Sequence, residues 1–155
     1  MQAVSTPPDF LAAVRCRLGI SGFAIDLAAS HENAVCEPYF TTEMNSLVQP
    51  WHQYCGRGKG WGWLNPEFAD IAPWATKAHE EARQGAQVAM LVPAAPDTRW
   101  WYDHVRAKGY VTHLRQRMAF VGHRDMYPKG LALVLYAPYL DGGECWWAWK
   151  PRRAA

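Results

Sequence analysis

Long apolar segments are missing from this 155-residue sequence. No apolar run approaches the roughly 18 residues that a membrane-spanning helix needs. The first residues, MQAVSTPPDFLAAVRCRLG, also lack the long apolar stretch and small-residue cleavage site of a secretory signal. These absences exclude the membrane and secreted classes, and we expect a cytoplasmic protein with no membrane partner.

Cysteines are few and widely spaced. The four thiols, Cys16, Cys36, Cys55 and Cys145, contain no Cys-x-x-Cys pair, which argues against a disulfide framework and favours free thiols in a reducing compartment. His31 and His52 lie near two of them in sequence, but the spacing matches no compact zinc pattern. We therefore predict no metal site.

Familiar nucleotide motifs are also absent, and the charge is nearly balanced. The chain has neither G-x-G-x-x-G nor a Walker-type G-K-[ST] motif, which disfavours ordinary dinucleotide and phosphate-loop chemistry. A formal net charge of +2 is too small to indicate a nucleic-acid binder by itself. Basic residues are nevertheless concentrated after residue 98, where they form either a solvated face or a surface for a polyanion.

The residues that are present indicate one α/β domain. The chain is long enough to bury a core without metal or disulfides, and helical and strand patterns alternate along it, which favours a sandwich with a mostly parallel sheet and an antiparallel end. Nine tryptophans are many for this length. Predicted helices cover residues 5–19, 31–35, 72–84 and 98–108, and predicted strands cover 22–29, 37–42, 61–64, 87–92, 110–114, 118–121, 131–136 and an edge strand around 146–149.

Two polar residues stand at the ends of buried strands. Asp26 lies in the run GFAIDLAA, and Asn65 follows the strand in WGWLNPEF. The carboxyl ends of parallel strands line the ligand cleft of an α/β sheet, so the two side chains are candidates for one site. The alternatives are that Asp26 caps a following helix and that Asn65-Pro66 is only a turn.

The order of several segments resembles the phage-type DNA N-6-adenine methyltransferases, the Dam family of phages and prophages. The resemblance runs from about Thr6 to Lys150 and is carried by motifs whose order and spacing are together fairly specific. The motifs are STPP, FAIDLAASHENAVCEPYFT, WGWLNPEF, PWATKA, MLVPA, RQRMAFVG, YPKG and WWAWK.

The resemblance implies a trimmed Rossmann-like methyltransferase sandwich that uses S-adenosyl-L-methionine to methylate the exocyclic N6 amine of adenine in DNA. It implies that Asp26 binds the ammonium of the cofactor and that Asn45 lies near its adenine end. Asn33 and Tyr39 match positions around the same pocket. The cofactor-binding residues expected by resemblance are Thr6, Pro7, Asp26, Ala28 and Asn45.

Asn65, Pro66 and Phe68 are the expected catalytic residues, because they match the family motif Asn-Pro-Pro-Tyr or Asn-Pro-Pro-Phe, with Glu67 in place of the second proline. The exocyclic amine of adenine is a poor nucleophile, since its lone pair is delocalised into the ring. An Asn oxygen and the Pro carbonyl can accept its N–H groups and concentrate electron density on nitrogen. Phe68 would stack on an adenine flipped out of the duplex.

We expect Arg99, Arg115, Arg117 and Lys129 to bind DNA phosphates. Two other functions stay open. One is a protein of the same fold that binds DNA or cofactor without turnover, which the departures Glu67 and Asn45 suggest. The other is a tryptophan-rich module that binds a planar or sugar-like ligand. The recognition sequence and the oligomeric state do not follow from the sequence.

Overall fold

A six-stranded sheet forms the centre of the computed structural model, which describes residues 5–150. The strands are β1 (Ile25–Asp26), β2 (Gly62–Leu64), β3 (Val88–Pro93), β4 (Tyr110–Leu114), β5 (Leu131–Tyr136) and β6 (Glu144–Trp147). The helices are α1 (Pro8–Leu18), α2 (Ala72–Arg83) and α3 (Arg99–His104), with 3-10 turns at Ser46–Val48 and Trp51–Gln53.

The sheet order is β1-β2-β3-β5-β4-β6, and one strand runs against the others. The pairs β1–β2, β2–β3 and β4–β6 are parallel, whereas β5 is antiparallel to both β3 and β4. The prediction of a mixed α/β fold with a mostly parallel sheet is confirmed. The antiparallel strand lies inside the sheet rather than at its end, because β5 pairs with β3 on one side and with β4 on the other. A loop without a crossover helix joins β4 to β5, which makes these two strands antiparallel.

Both faces of the sheet are covered, which explains its continuously apolar central strands. Along β3, Val88, Met90 and Val92 pack in the cluster that includes α2 and α3. Ala89 and Leu91 pack in the opposite cluster, which includes α1. All residues of β3 are buried, as expected for a strand between two layers.

Helix α1 ends where its sequence predicts and begins at Pro8, three residues later than predicted. Proline occupies its first turn, and Phe10, Leu11 and Val14 form the buried stripe. Gly19 follows the helix with φ 69°, and its N–H donates to carbonyls of the last turn. Glycine adopts this left-handed conformation without the strain that a Cβ would add.

Several predicted elements are wrong in extent or type. Residues 22–29 form a strand only at Ile25–Asp26, and residues 37–42 contribute a single bridge from Tyr39 to Asp26. Residues 31–35 are a turn rather than a helix, because the Asp26 carboxylate and the Ser30–Asn33 side chains bind local backbone groups. Residues 118–121 make only a bridge from Val121 to Ser5.

The topology brings many polar residues to one edge of the sheet. Strands β1, β2, β3 and β4 run in the same direction, so their carboxyl ends share an edge. Strand β5 is antiparallel and therefore begins at that edge. Residues that follow β1 to β4 or precede β5 meet there, and this edge holds the candidate site.

Candidate active site

Asp26 is the buried acid of a small polar pocket. Asp26 is the last residue of β1, and it is 3% exposed. Oδ1 accepts the Ala28 N–H at 3.2 Å and Oδ2 accepts the Val35 N–H at 3.0 Å. Burial raises the pKa of the carboxyl to about 6, and the two backbone hydrogen bonds offset only part of that rise. A nearby cation would favour the charged form.

Asn65 closes the same pocket from β2. Its Nδ2 donates to Thr6 Oγ1 at 2.9 Å, and both residues are buried. This hydrogen bond fixes the rotation of the amide group and so the direction of Oδ1. The polar pocket is lined by Ser5, Thr6, Asp26, Ala28, Asn33, Val35, Trp63 and Asn65, and it is a narrow space with a cavity volume of about 10 Å³.

A second pocket adjoins the first at Ala28. We call it the Trp74 pocket; it holds about 500 Å³ of empty space, and its lining includes Ala28, Phe40, Asn45, Glu67 and Trp74. Asn45 has φ 51°, a left-handed conformation that asparagine tolerates better than most residues. The pocket combines aromatic walls with an amide and a carboxylate.

Buried contacts behind the Trp74 pocket hold its wall. The ring of Trp51 stacks on Trp74 with 6.3 Å between centroids. Glu81 on α2 accepts the backbone N–H of His52 and contacts its ring Nδ1, both at 2.8 Å, and accepts Lys77 Nζ at 3.0 Å. Burial raises the pKa of Glu81, but these hydrogen bonds outweigh it and lower the pKa below its usual value. Glu81 thereby ties α2 to the turn at Trp51–Gln53.

A third pocket is built around aromatic rings. Phe68 lies 6.0 Å from Phe120 and 5.4 Å from Tyr127 between ring centroids, and the last two rings are 5.9 Å apart. This aromatic pocket holds about 810 Å³ of empty space, part of it open to solvent, and residues 123–126 also line it. Its walls suit a planar ligand.

The motif Asn65-Pro66-Glu67-Phe68 is the junction of all three pockets. Asn65 lines the polar pocket, Glu67 lines the Trp74 pocket and Phe68 lines the aromatic pocket. The chain leaves β2 at Leu64, and Pro66 provides no N–H for a further rung of the sheet. A short strand that ends at Asn-Pro therefore presents successive residues to three different spaces.

The structure brings together most of the residues predicted from sequence. Thr6, Asp26, Ala28 and Asn65 share the polar pocket, together with Asn33. Asn45 lies in the adjoining Trp74 pocket. Pro7 precedes α1 and accepts the Leu11 N–H at 3.1 Å through its carbonyl, but it does not line either pocket.

Tyr39 is further from the polar pocket than its sequence match suggests. Its backbone pairs with Asp26, whereas its hydroxyl contacts His31 Nδ1 at 2.7 Å. Its side chain lines a separate, shallow pocket with Met44.

The four predicted phosphate-binding residues are exposed and lie at the same sheet edge. Arg99 opens α3 after β3, Arg115 follows β4, and Lys129 precedes β5. Arg117 is close to Gly130, the residue before β5. Its guanidinium lies 3.7 Å from the position that a Cβ on this glycine would take. In contrast, Lys108 precedes β4 and belongs to the opposite edge.

Sequence reasoning missed several residues of the site. Phe120 and Tyr127 complete the aromatic pocket, and Trp74 and Glu81 build and support the pocket named after Trp74. The tryptophan content was a signal, but it favoured core packing over ligand contact. Trp51 and Trp63 are fully packed in the core, whereas Trp74 is half-buried at the pocket.

Three further observations concern metals, membranes and cysteines. Across residues 5–150, no group of three or more His, Cys, Asp or Glu side chains is arranged to hold a metal ion. No helix in the described part of the chain has the length and apolar character needed to cross a membrane. The four cysteines carry free thiols.

Comparison with known proteins identifies the family. Residues 2–141 match the family model for DNA N-6-adenine-methyltransferase (Dam). The chain is also 36% identical over 99 residues to the DNA N-6-adenine-methyltransferase of Escherichia phage T1, a match that covers 64% of this chain and 39% of the phage protein. No solved structure matches the chain. The family model covers most of the sequence, and the chain therefore belongs to the DNA N-6-adenine-methyltransferase (Dam) family.

Proposed function

We propose that this protein transfers a methyl group from S-adenosyl-L-methionine to the N6 amine of adenine in DNA. The observation that carries the proposal is the junction of three pockets at residues 65–68. It would bring a cofactor in the pockets lined by Asn65 and Glu67 next to a planar base in the pocket lined by Phe68, with the Asn65 oxygen available as an acceptor for the amine of that base. The family and the name of the phage T1 relative support the same activity.

The residues of the polar pocket and the Trp74 pocket fit S-adenosyl-L-methionine. The buried Asp26 carboxyl, which with a pKa of about 6 is mostly ionised at pH 7, is a suitable partner for an ammonium group. The half-buried ring of Trp74 and the buried ring of Phe40 provide apolar walls for an adenine ring, and the Asn45 amide can bind its polar edge. When bound, the cofactor supplies an electrophilic methyl group on a sulfonium.

The cofactor would lie across both pockets. We propose that Asn45 contacts its adenosyl part, with Trp74, and that four residues near the polar pocket surround its methionine part. Those four are Thr6, Pro7, Asp26 and Ala28. Ala28 lines both pockets, and a small side chain at this shared position would let one ligand span them.

Asn65 and Pro66 activate the target amine. The Asn65 side-chain oxygen and the Pro66 carbonyl each accept one N–H of the amine, which favours tetrahedral geometry at nitrogen and keeps its lone pair out of the ring. The Asn65–Thr6 hydrogen bond at 2.9 Å holds the amide in one orientation before the base arrives. Such preorganisation lowers the barrier, because no group has to reorient during the reaction.

The aromatic pocket receives the target adenine. A base inside a duplex cannot reach Asn65, so the adenine must be flipped out, at a cost of a few kcal/mol. Stacking on Phe68, one wall of a pocket with about 810 Å³ of empty space, offsets part of that cost. Arg99, Arg115, Arg117 and Lys129, at the same edge, bind the flanking phosphates.

We further propose that the fold is a trimmed Rossmann-like methyltransferase sandwich and that residues 1–155 form one domain. The sheet supports this, because a single antiparallel strand lies between β3 and β4 and the site lies at the carboxyl edge. We call the fold trimmed because the segment between β1 and β2 contains only 3-10 turns in place of full helices.

Binding of DNA or cofactor without turnover is the alternative, and it rested on Glu67 and Asn45. Glu67 lines the Trp74 pocket and not the aromatic pocket, so its charge lies outside the walls that would hold the target base. Asn45 keeps an amide at the same pocket. This arrangement favours an active enzyme.

Transfer of labelled methyl from S-adenosyl-L-methionine to unmethylated DNA of mixed sequence tests the proposal. The product is digested to nucleosides, and we expect the label in N6-methyldeoxyadenosine. Absence of label from a preparation that binds the cofactor in a separate titration would support the binding-only alternative. Label on cytosine would contradict the assignment of the target base.

A further inference from the structure

An exposed methionine stands beside the aromatic pocket, on the loop that connects β4 to β5. Met126 is 58% exposed, yet it lines the pocket together with Phe68 and Tyr127. Single exposed apolar side chains are ordinary on a protein surface, but one at the mouth of a ligand pocket is placed to contact a bound partner. Its place at the rim of the proposed base pocket indicates that this partner is nucleic acid.

The loop that carries Met126 is held at its base. The Tyr127 N–H donates to the Met118 carbonyl at 2.7 Å, and the His123 N–H donates to the Phe120 carbonyl at 3.0 Å. The Val121 N–H donates to the Ser5 carbonyl at 3.0 Å, which ties the loop to the segment before α1. The rings of Phe120 and Tyr127 pack on Phe68. Met126 is therefore an exposed tip on an anchored support.

The charges around Met126 suit a polyanion. Arg124 also lines the pocket and is exposed, and Lys129 is exposed three residues further on. Asp125 is the one acid among residues 117–130. An apolar tip between basic residues is the arrangement with which proteins enter a DNA stack while they neutralise its phosphates.

We propose that Met126 is a wedge that enters the DNA duplex and fills the space left by the flipped adenine. The inference rests on the proposed function, because it assumes a duplex substrate with a base in the aromatic pocket. A flipped base leaves its neighbours unstacked, and an apolar side chain in the gap restores part of that contact. The unbranched thioether of methionine adapts to an irregular gap.

Val121 is the matched control on the same loop. It is apolar and 51% exposed, but it does not line the aromatic pocket. Its link to Ser5 is through the backbone, so Val121→Ala keeps that link. Both positions are exposed, and neither substitution removes core packing.

The test compares two duplexes that differ only opposite the target adenine. The target is first located by mapping N6-methyladenine on mixed-sequence DNA. One duplex then carries thymine opposite the adenine and the other an abasic site, which lowers the cost of flipping. Initial methylation rates are measured for the wild-type protein and for Met126→Ala, Met126→Leu and Val121→Ala.

We expect Met126→Ala to methylate the paired duplex about tenfold more slowly, which corresponds to about 1.4 kcal/mol in the barrier. On the abasic duplex the same variant should keep nearly the wild-type rate. Met126→Leu, which retains an apolar wedge, should retain most of the rate on both duplexes, and Val121→Ala should match the wild type. With 2-aminopurine at the target position, Met126→Ala should give a smaller fluorescence rise on binding than the wild type.

The contrary outcomes are distinct. If Met126→Ala loses the same factor in rate on both duplexes, Met126 acts in the base pocket or in folding. If its rate on the paired duplex is unchanged, Met126 does not act as a wedge. Either result overturns this inference but not the proposed function. A wild-type protein that forms no N6-methyladenine in the initial mapping on mixed-sequence DNA, after cofactor binding has been confirmed, would overturn the proposed function and the inference with it.

Discussion

Acidification should weaken the binding of S-adenosyl-L-methionine, because Asp26 is the proposed partner of its ammonium group. Burial raises the pKa of this carboxyl to about 6. The ionised fraction therefore falls from roughly nine-tenths at pH 7 to roughly one-tenth at pH 5. An α-amino group stays protonated over that range. If only the carboxylate binds the ammonium, the dissociation constant rises about tenfold between pH 7 and pH 5.

The same group acts on folding stability with the opposite sign. Its folded-state pKa lies above the unfolded value, so the stability that Asp26 contributes is complete below about pH 4 and is lost as the pH rises through about 6. Acid between pH 7 and pH 5 thus favours the fold through Asp26 while it weakens cofactor binding. Weaker binding at pH 5 is therefore not a sign that this site has unfolded.

Calorimetric titration between pH 5 and pH 7 is the assay. Buffers with different ionisation heats should reveal a proton released from the protein on binding near pH 6. In Asp26→Asn the affinity should be low and nearly independent of pH, whereas Glu32→Gln, an exposed carboxylate in the neighbouring turn, should keep the wild-type profile. A flat profile for the wild-type protein, or an unchanged slope in Asp26→Asn, would refute the reasoning.

Three other perturbations have defined outcomes. Thr6→Val removes the hydroxyl that orients the Asn65 amide and should lower kcat about tenfold with little change in KM for DNA, while Thr6→Ser keeps activity; an equal effect of both would argue against positioning. Glu81→Ala should lower Tm by roughly 4–8 °C, about 2 kcal/mol, because it leaves the partly buried donors of His52 and Lys77 without their acceptor, and the exposed Glu80→Ala is the control in the same melting experiment. Lys129→Ala should make the plot of log affinity for DNA against log salt concentration less steep, by the amount that corresponds to about one phosphate contact, in a titration from 50 to 200 mM salt. An unchanged slope would show that Lys129 does not contact a DNA phosphate.

The sequence predicted those parts of the fold that depend on local pattern. Helix α1 follows from an apolar stripe between Pro8 and Gly19, and the central strand β3 from a continuous apolar run. The position of Asp26 beside Asn65 follows from the rule that parallel strands end at one edge, and the two residues do share a pocket.

The pattern of apolar and polar residues could not predict contacts between residues that are far apart in the sequence. The aromatic pocket requires Phe68 to meet Phe120 and Tyr127, whose rings come from a loop more than 50 residues later. The short early strands had a local cause that periodicity does not detect. The Asp26 carboxylate binds the backbone N–H of Ala28 and of Val35, which turns the chain where the apolar run predicted a longer strand.

Methyl transfer by Asn65→Ala tests the central claim that the junction of the three pockets is where adenine reacts. The variant and the wild-type protein are given S-adenosyl-L-methionine and mixed-sequence DNA, N6-methyldeoxyadenosine is quantified by mass spectrometry, and Asp70→Ala, an exposed neighbour, serves as control. The account predicts that Asn65→Ala loses about 100- to 1,000-fold in rate, while its affinity for the cofactor changes by less than about threefold. Adenine methylation by Asn65→Ala at a rate close to the wild type would contradict it.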